Sequence, residues 1–535
     1  MTNSPQKLLR LLAACAVLAA AVPALAAAQT TVQGAVQPDV SGWPDALLGR
    51  YNKLLTRLEA EPNDLNAHLD LGELLLSAGA FDEAKGYFLE AVALDYMSAD
   101  AHFGLGLAEY NRANYRAALF EFGEVTRLFP DRFDGHFNRA VTLARLRRGE
   151  EAVTAFQEAL VQATPEAGRA ARASAQMGLA GQLEALGRFD EAADAYGAAA
   201  RLSKRTPDLV LARSEALYRA GRGLEALPDL TALEGRGDDP RVSALIADVY
   251  LQAKQTDYAL SALNRAYRRA TAGGNTQVAA DVLLQRGLLE RSLGRSAAAA
   301  RAFREAAELT PNSEGAFYNL GVSLLEAGQP ERAVAPLSNA LRVGGARPSG
   351  EVYLALATAY DQLNRPAEAQ RTAEAARGRL GTRALKLDAT AITGRALYRA
   401  GNYRGALIAL EEVAEARPND AQAQLWAGLA YYQQGDYTEA TALYERAAGL
   451  DPDNLDARLN LGAAYLATER YADAESVYTL LVQQNPEDAE AFYNLGWALF
   501  SQDRMGEAEA AWATASELGF EPAGTALAEY TDAAE

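Results

Sequence analysis

The sequence predicts an all-α fold made of one helical hairpin that recurs along most of its 535 residues. Three observations predict it. His68, His102 and His136 are spaced by 34 residues, and Leu-Gly pairs recur in the same phase. An alanine follows each of these glycines by twelve residues, and a bulky side chain follows the alanine by four. This period is typical of a unit of two short helices, which must stack on its neighbours to bury its apolar face.

The first 28 residues have the layout of a secretory signal peptide. Lys7 and Arg10 form a short positive region, residues 11–22 are an uncharged apolar run, and residues 24–26 or 26–28 offer a cleavage site of small side chains. No later stretch reaches the ~18 uncharged apolar residues of a membrane span. We therefore expect export to the periplasm or the outer cell envelope, with no transmembrane span in the mature chain.

Cys15 permits a second interpretation, in which residues 12–15 form a lipobox and the cysteine carries a lipid. The apolar stretch before Cys15 is short because Arg10 lies only five residues upstream, and the stretch after it stays apolar. Cleavage within residues 24–28 is the preferred prediction, and a lipid anchor at Cys15 is the alternative.

Thirteen units of this pattern cover residues 65–522. They begin at residues 65, 99, 133, 173, 207, 240, 280, 314, 350, 387, 421, 455 and 489. The eighth residue of each unit is small and the twentieth is alanine, although the units at 240 and 350 are themselves aligned on that alanine. Small residues at these positions let the two helices, A and B, approach closely, and glycines between them accept a left-handed backbone.

This pattern resembles the tetratricopeptide repeat (TPR). The resemblance implies a right-handed superhelical solenoid of about thirteen helix-turn-helix repeats, in which helix A lines the concave surface. The ends of a solenoid need capping helices. We expect residues 29–42 to form a flexible leader, residues 43–64 an N-terminal capping helix, and residues 523–535 a C-terminal cap and tail.

Composition and motifs restrict the class of function. The formal net charge of −19 argues against a general nucleic-acid binder, which needs an electropositive surface. One cysteine and three histidines are too few for a disulfide framework or a Cys/His zinc site. The sequence has no phosphate-binding glycine loop, no GxSxG elbow and no HExxH motif. It therefore predicts neither a catalytic site nor a cofactor.

The regular spacing of the three histidines suggests a metal site, but the expected geometry argues against one. Each histidine is the fourth residue of its unit, where other units have Phe317, Tyr353 or Phe492. Equivalent residues of adjacent repeats are roughly 8–10 Å apart or more, whereas a metal–nitrogen bond needs about 2 Å. We expect the histidines to pack between helices.

The resemblance implies that residues 2, 5, 6, 9, 12 and 13 of each unit face a ligand. The candidate groove residues at these positions are Tyr398, Tyr432, Asn460, Tyr493, Asn494, Trp497 and Phe500. Asparagine can donate to and accept from a peptide backbone, and aromatic rings supply apolar contact area. The stripe formed by Tyr493, Trp497 and Phe500 predicts a partner surface, unless the C-terminal cap covers it.

The best-known peptide-binding mode of the resembled family uses lysines at the fifth position to clamp a terminal carboxylate. Here that position carries apolar or aromatic side chains, as at Leu69, Phe103 and Tyr318, so the clamp is not predicted. Arg395 and Arg399 project inward in the tenth unit, and Arg219 and Arg291 do so in others; these scattered arginines could meet acidic groups of a partner.

These observations favour an exported scaffold that mediates protein–protein interaction in the cell envelope and binds a partner segment in its concave groove. An accessory factor for cell-surface polysaccharide assembly or export is the alternative, because aromatic rings beside asparagine also suit sugars. An exported enzyme is a weaker alternative, since the repeats leave no room for a separate catalytic domain.

Overall fold

The computed structural model describes residue 38 and residues 43–163 and 168–531. Within these ranges every regular element is a helix, which confirms the predicted all-α fold class. The predicted signal peptide with Cys15, all but one residue of the predicted leader, and the last four residues of the predicted tail lie outside the described residues.

The chain divides into an N-terminal module ending at Gly273 and a C-terminal module beginning at Gly274. The helices of the N-terminal module are α1 (Asp45–Ala60), α2 (Leu65–Ser77), α3 (Phe81–Leu94), α4 (Ala99–Asn111), α5 (Tyr115–Leu128), α6 (Phe133–Arg145), α7 (Gly149–Val161), α8 (Gly168–Ala185), α9 (Phe189–Leu202), α10 (Pro207–Arg219), α11 (Leu227–Glu234), α12 (Pro240–Gln252) and α13 (Thr256–Ala272). The helices of the C-terminal module are α14 (Thr276–Ser292), α15 (Ser296–Leu309), α16 (Glu314–Glu326), α17 (Pro330–Val343), α18 (Gly350–Gln362), α19 (Pro366–Arg377), α20 (Arg383–Arg399), α21 (Tyr403–Ala416), α22 (Ala421–Gln434), α23 (Tyr437–Leu450), α24 (Leu455–Ala467), α25 (Tyr471–Gln484), α26 (Ala489–Phe500), α27 (Met505–Glu517) and α28 (Glu521–Thr531).

From α2 to α27 the helices alternate as helix A (even numbers) and helix B (odd numbers) of thirteen hairpins, in agreement with the predicted number of repeats. Helix α1 packs against α2 before the first hairpin, and α28 packs against α27 after the last.

The eighth and twenty-fourth residues of a repeat set how closely its two helices approach. A Cβ added at Gly106 would lie 2.7 Å from the ring of Phe122, and one added at Gly462 would lie 2.5 Å from the ring of Tyr478. Real Cβ atoms do not come this close, so glycine makes room for the ring. The alanine at position twenty is fully buried in all thirteen repeats.

The turn between helices A and B has the same backbone conformation in every repeat. Its fifteenth residue is left-handed throughout, with φ between 53° and 87°. Seven repeats have the predicted glycine there, and six have another residue: Ala113, Arg147, Lys254, Asn364, Glu469 and Asp503. The common conformation is therefore imposed by the two flanking helices and not by glycine alone.

Helix A lies on the side of each module where successive repeats approach most closely. Among helices two apart in sequence, the most extensive contacts join A helices, as between α2 and α4 or between α18 and α20. We call the surface formed by positions 2, 5, 6, 9, 12 and 13 of the A helices the inner face of a module.

The three histidines pack between helices, as predicted. His68, His102 and His136 are all buried. Each ring donates from Nε2 to the backbone carbonyl six residues earlier, at distances of 3.0, 3.0 and 2.8 Å respectively. The histidines thus fasten the turn that enters a repeat to helix A of that repeat.

Candidate functional site

The inner face of the C-terminal module contains a cavity of about 200 Å³. Three successive A helices contribute to its wall, through Thr358 of α18, Arg395 of α20 and Trp426 of α22. Helix α21 and the turn after it supply Leu410 and Arg417. The A helices contribute side chains from positions 6 and 9 to this wall, although none of the seven predicted groove residues lines the cavity.

Two arginines converge on one buried carboxylate beside this cavity. Asp361, whose side chain is only 8% exposed, accepts from Nε of Arg395 at 2.9 Å and also pairs with Arg399. Arg399 donates in addition to the Asp361 carbonyl oxygen at 3.3 Å. Asp388 and Asp420 also line the cavity, and Asp388 pairs with Arg417, so arginines and carboxylates alternate on this part of the inner face.

An aromatic ring also contacts one of these arginines, Arg399. The Arg399 guanidinium carbon lies 5.4 Å from the centroid of the Trp426 ring, within the range of a cation–π contact. Tyr398 meets Trp426 edge to face, with ring centroids 5.6 Å apart, and burial raises the pKa of Tyr398. We call Asp361, Arg395, Tyr398, Arg399 and Trp426 the arginine–tryptophan cluster.

Trp426 and Asp361 were missed by the sequence analysis, although both occupy inner-face positions. Trp426 is sixth in its repeat, the same position as Asn460 and Asn494, and Asp361 is twelfth. A complete list of inner-face positions would have found both residues. It would not have shown that Asp361 binds arginines of the following repeat.

The stripe of Tyr493, Trp497 and Phe500 on α26 is partly covered by α28. Phe520 lies 5.0 Å from Tyr493 between ring centroids, and Tyr530 lies 5.4 Å from Trp497 and 5.0 Å from Phe500. All three stripe residues keep part of their surface exposed. A C-terminal helix therefore does cover part of the stripe, and it reduces the exposed area of these three side chains.

A second cavity, of about 390 Å³, remains between α26 and α28. Its aromatic wall includes Tyr493 and Trp497 from the predicted stripe and Tyr530 from α28. Phe500 is not part of this wall. We call this opening the terminal pocket.

The other candidate residues, Tyr432, Asn460 and Asn494, lie on the A helices α22, α24 and α26. Tyr432 packs edge to face on Tyr437 at 5.0 Å, and burial raises the pKa of Tyr432. The Asn460 side chain donates to the Asp456 carbonyl oxygen at 2.7 Å, and Asn494 is half-buried on α26. Asn460 therefore uses one of its two N–H groups within its own helix and keeps its side-chain carbonyl available.

Comparison with known families identifies the repeat. A family model described as "Tetratricopeptide repeat" matches residues 69–124, 105–168, 182–240, 284–351 and 393–454, which together are more than half of the chain. A second model of the same description matches residues 431–491. The chain belongs to the tetratricopeptide repeat family.

Solved structures similar to this TPR chain include the APC/C hetero-tetramer Cut9–Hcn1, at 14% identity and a TM-score of 0.36, covering 89% of this chain and 97% of that one. The TPR domain of P58(IPK) matches at 16% identity and a TM-score of 0.33, covering 82% and 99%. YrrB, described as a TPR protein with an unusual peptide-binding site, matches at 22% identity and a TM-score of 0.31, covering 36% and 95%. A search of curated protein sequences finds no match.

Membership of the TPR family supports a protein–protein interaction scaffold, and the TPR fold is typically non-catalytic. Among the described helices, none is both long and apolar enough to cross a membrane. A search of the described residues for three or more grouped His, Cys, Asp or Glu side chains finds no candidate metal site.

Proposed function

We propose that this protein is an exported TPR scaffold of the cell envelope that holds a segment of a partner protein against the inner face of its C-terminal module. The observation that carries the proposal is the cavity beside Trp426, where A helices of three repeats meet. Tryptophan, tyrosine and arginine are the residue types that dominate binding energy at protein interfaces.

The arginine–tryptophan cluster is held in place before any partner arrives. Arg395 and Arg399 are fixed by Asp361, and Trp426 is fixed by contact with Tyr398 and Arg399. A partner that binds here loses little side-chain entropy on the scaffold side, because these rotamers are already restricted. The mixed lining of charged side chains and Trp426 favours a segment that carries both polar and apolar side chains.

The predicted signal peptide in the first 28 residues supports the export part of the proposal. The positive residues Lys7 and Arg10, the apolar run at 11–22 and the small residues at 24–28 form the layout of a signal peptide. Mass spectrometry of the protein from a cell-envelope fraction would test this. We expect a mature chain that begins after residue 26 or 28, and a chain that begins at a lipidated Cys15 would support the alternative anchor.

Capture of partners from an envelope fraction tests the groove. We expect wild-type protein to retain a partner that Trp426→Ala loses, because the substitution removes the aromatic centre of the cluster. Ile408→Ala is the matched control, since Ile408 is a 69% exposed apolar residue of helix B in the neighbouring repeat. Equal recovery by all three proteins would remove the cavity from the proposal. Recovery of polysaccharide in place of protein would favour the carbohydrate alternative.

A further inference from the structure

The terminal pocket combines an aromatic wall with an acidic rim. Tyr493, Trp497 and Tyr530 supply the rings, and Glu521 and Glu529 of α28 supply the carboxylates. The rings are held against one another, since Trp497 lies 6.2 Å from Tyr493 and 5.4 Å from Tyr530 between centroids. The opening of about 390 Å³ is large enough for one long side chain.

The rim carboxylates have no cationic partner among the described residues. Glu475 and Glu507, on the neighbouring helices, are both paired with Arg504. Glu521 and Glu529 are exposed, and no Lys or Arg follows Arg504 in the sequence. The pocket therefore lies in a part of the chain whose charges are all negative.

We propose that the terminal pocket binds a cationic side chain, arginine or lysine, of the partner segment. The aromatic faces and the two carboxylates attract a cation, whereas an anion would meet only repulsion. The carboxylates are eight residues apart on one helix, about 12 Å along its axis, so they cannot share one metal ion. They can flank an elongated side chain whose methylene groups contact the rings.

This inference rests on the proposed scaffold function, because the cation is taken to belong to a partner protein. The recognised group is an arginine or lysine side chain, which binds in the last repeat, away from the arginine–tryptophan cluster. The pocket can nevertheless be tested without the partner, by a small cationic probe.

Fluorine NMR of protein labelled with 5-fluorotryptophan provides the test. The chain has four tryptophans, so four resonances are expected, and Trp497→Phe assigns the one in the pocket. Titration with N-acetyl-arginine amide should shift the Trp497 resonance in a saturable way and leave that of Trp43 unchanged. N-acetyl-citrulline amide, which has a similar shape but no charge, should give no saturable shift.

The double variant Glu521→Gln with Glu529→Gln tests the carboxylates. We expect the Kd for the arginine probe to rise about fivefold or more, as loss of two exposed charges near a cation implies. Glu509→Gln with Glu517→Gln is the matched control, because it removes the same charge from α27 without touching the pocket wall, and its Kd should stay near that of wild type.

An absent Trp497 shift, an equal response to the citrulline probe, or an unchanged Kd in the rim variant would each overturn the inference. These failures are separate from failure of the scaffold function. Loss of partner capture in Trp426→Ala reports on the cavity at Trp426, whether or not the terminal pocket binds the probe.

Discussion

The inner faces of the two modules place individual acidic side chains in different surroundings on the same framework. In the N-terminal module, Asp248 is half-buried and has no ion pair among the described residues, and desolvation raises its pKa to about 6. Burial and the nearby carboxylates of Asp70 and Asp100 also raise the pKa of Glu73. In the C-terminal module the buried Asp361 is held by two arginines.

The difference shows that the core of a repeat and its inner face are specified by separate positions. The packing of residue 8 on residue 24 is the same in both modules, as at Gly106 with Phe122 and Gly462 with Tyr478. Positions 9 and 12, which face away from that packing on α12 and α18, carry Asp248 and Asp361 in different surroundings. Binding chemistry can therefore change along the chain while the hairpin stays constant.

The largest expected effect tests whether the two cores are equivalent. Phe122→Ala and Tyr478→Ala each remove a fully buried ring, and each should lower the free energy of local unfolding by about 3–5 kcal/mol. Hydrogen exchange resolved by repeat would measure this, since a repeat array need not unfold in one step. Phe120→Ala and Leu480→Ala, at exposed positions on the same helices, should change it little. A large loss of local unfolding free energy in only one module would show that the two cores are not equivalent.

Asp361→Asn should destabilise the C-terminal module, because it removes the carboxylate that pairs with Arg395 and Arg399. Arg395 and Arg399 would keep a neutral acceptor in place of a carboxylate, and the free energy of unfolding should fall by about 1.5–3 kcal/mol. Asp388→Asn is the control, because among the described residues Asp388 pairs with a single arginine, Arg417, and its side chain is 42% exposed. Urea titration of both variants would measure the difference, and equal losses would argue against a special role for Asp361.

Asp248→Asn should stabilise the N-terminal module above pH 6. Because the folded-state pKa is raised from 3.8 to about 6, the folded protein holds a proton that the unfolded chain releases. Stability from this group is thus present below about pH 4 and is lost as the pH rises through 6. Asparagine cannot ionise, so the variant should gain about 1–2 kcal/mol at pH 7.5, after allowing for partial exposure of the group.

Urea unfolding of wild type and Asp248→Asn at pH 4.5 and 7.5 would measure that gain. Asp257→Asn, at an exposed position on α13, serves as the control for the loss of one negative charge. A gain in Asp248→Asn that is independent of pH would contradict the interpretation that desolvation raises the pKa of Asp248.

The smallest expected change in the free energy of unfolding is at the asparagines of position 6. This change should be equally small in both modules. Asn138 and Asn460 each donate to the backbone carbonyl four residues earlier, at 2.8 and 2.7 Å. Because these bonds lie within one helix turn near the surface, Asn138→Ala and Asn460→Ala should each change the free energy of unfolding by no more than about 0.5 kcal/mol. Thermal denaturation would measure both variants. A larger loss of stability would show that these asparagines contribute to the stability of the fold.

The sequence predicts the repeat well because its signals are local. The small residue at position 8 and the alanine at position 20 act within one hairpin, so the 34-residue period shows them directly. The six left-handed turns without glycine were not predicted, since their conformation is fixed by the helices on either side.

The candidate site is harder to predict because it depends on contacts between repeats. Tyr398 was identified from its position in helix A, but its contact with Trp426 joins two repeats. Trp497 was identified in the same way, and its partial coverage depends on Tyr530, more than thirty residues further along. Whether a ring is free or covered is therefore decided by elements that periodicity does not describe.

The six left-handed turns without glycine have a consequence for heat tolerance. A side chain in this conformation costs roughly 1–2 kcal/mol that glycine avoids. Asn364 and Asp503 tolerate this conformation, so the strain that the seven glycine turns lack falls mainly on the repeats turning at Ala113, Arg147, Lys254 and Glu469. On warming, these hairpins should be the first to unfold locally.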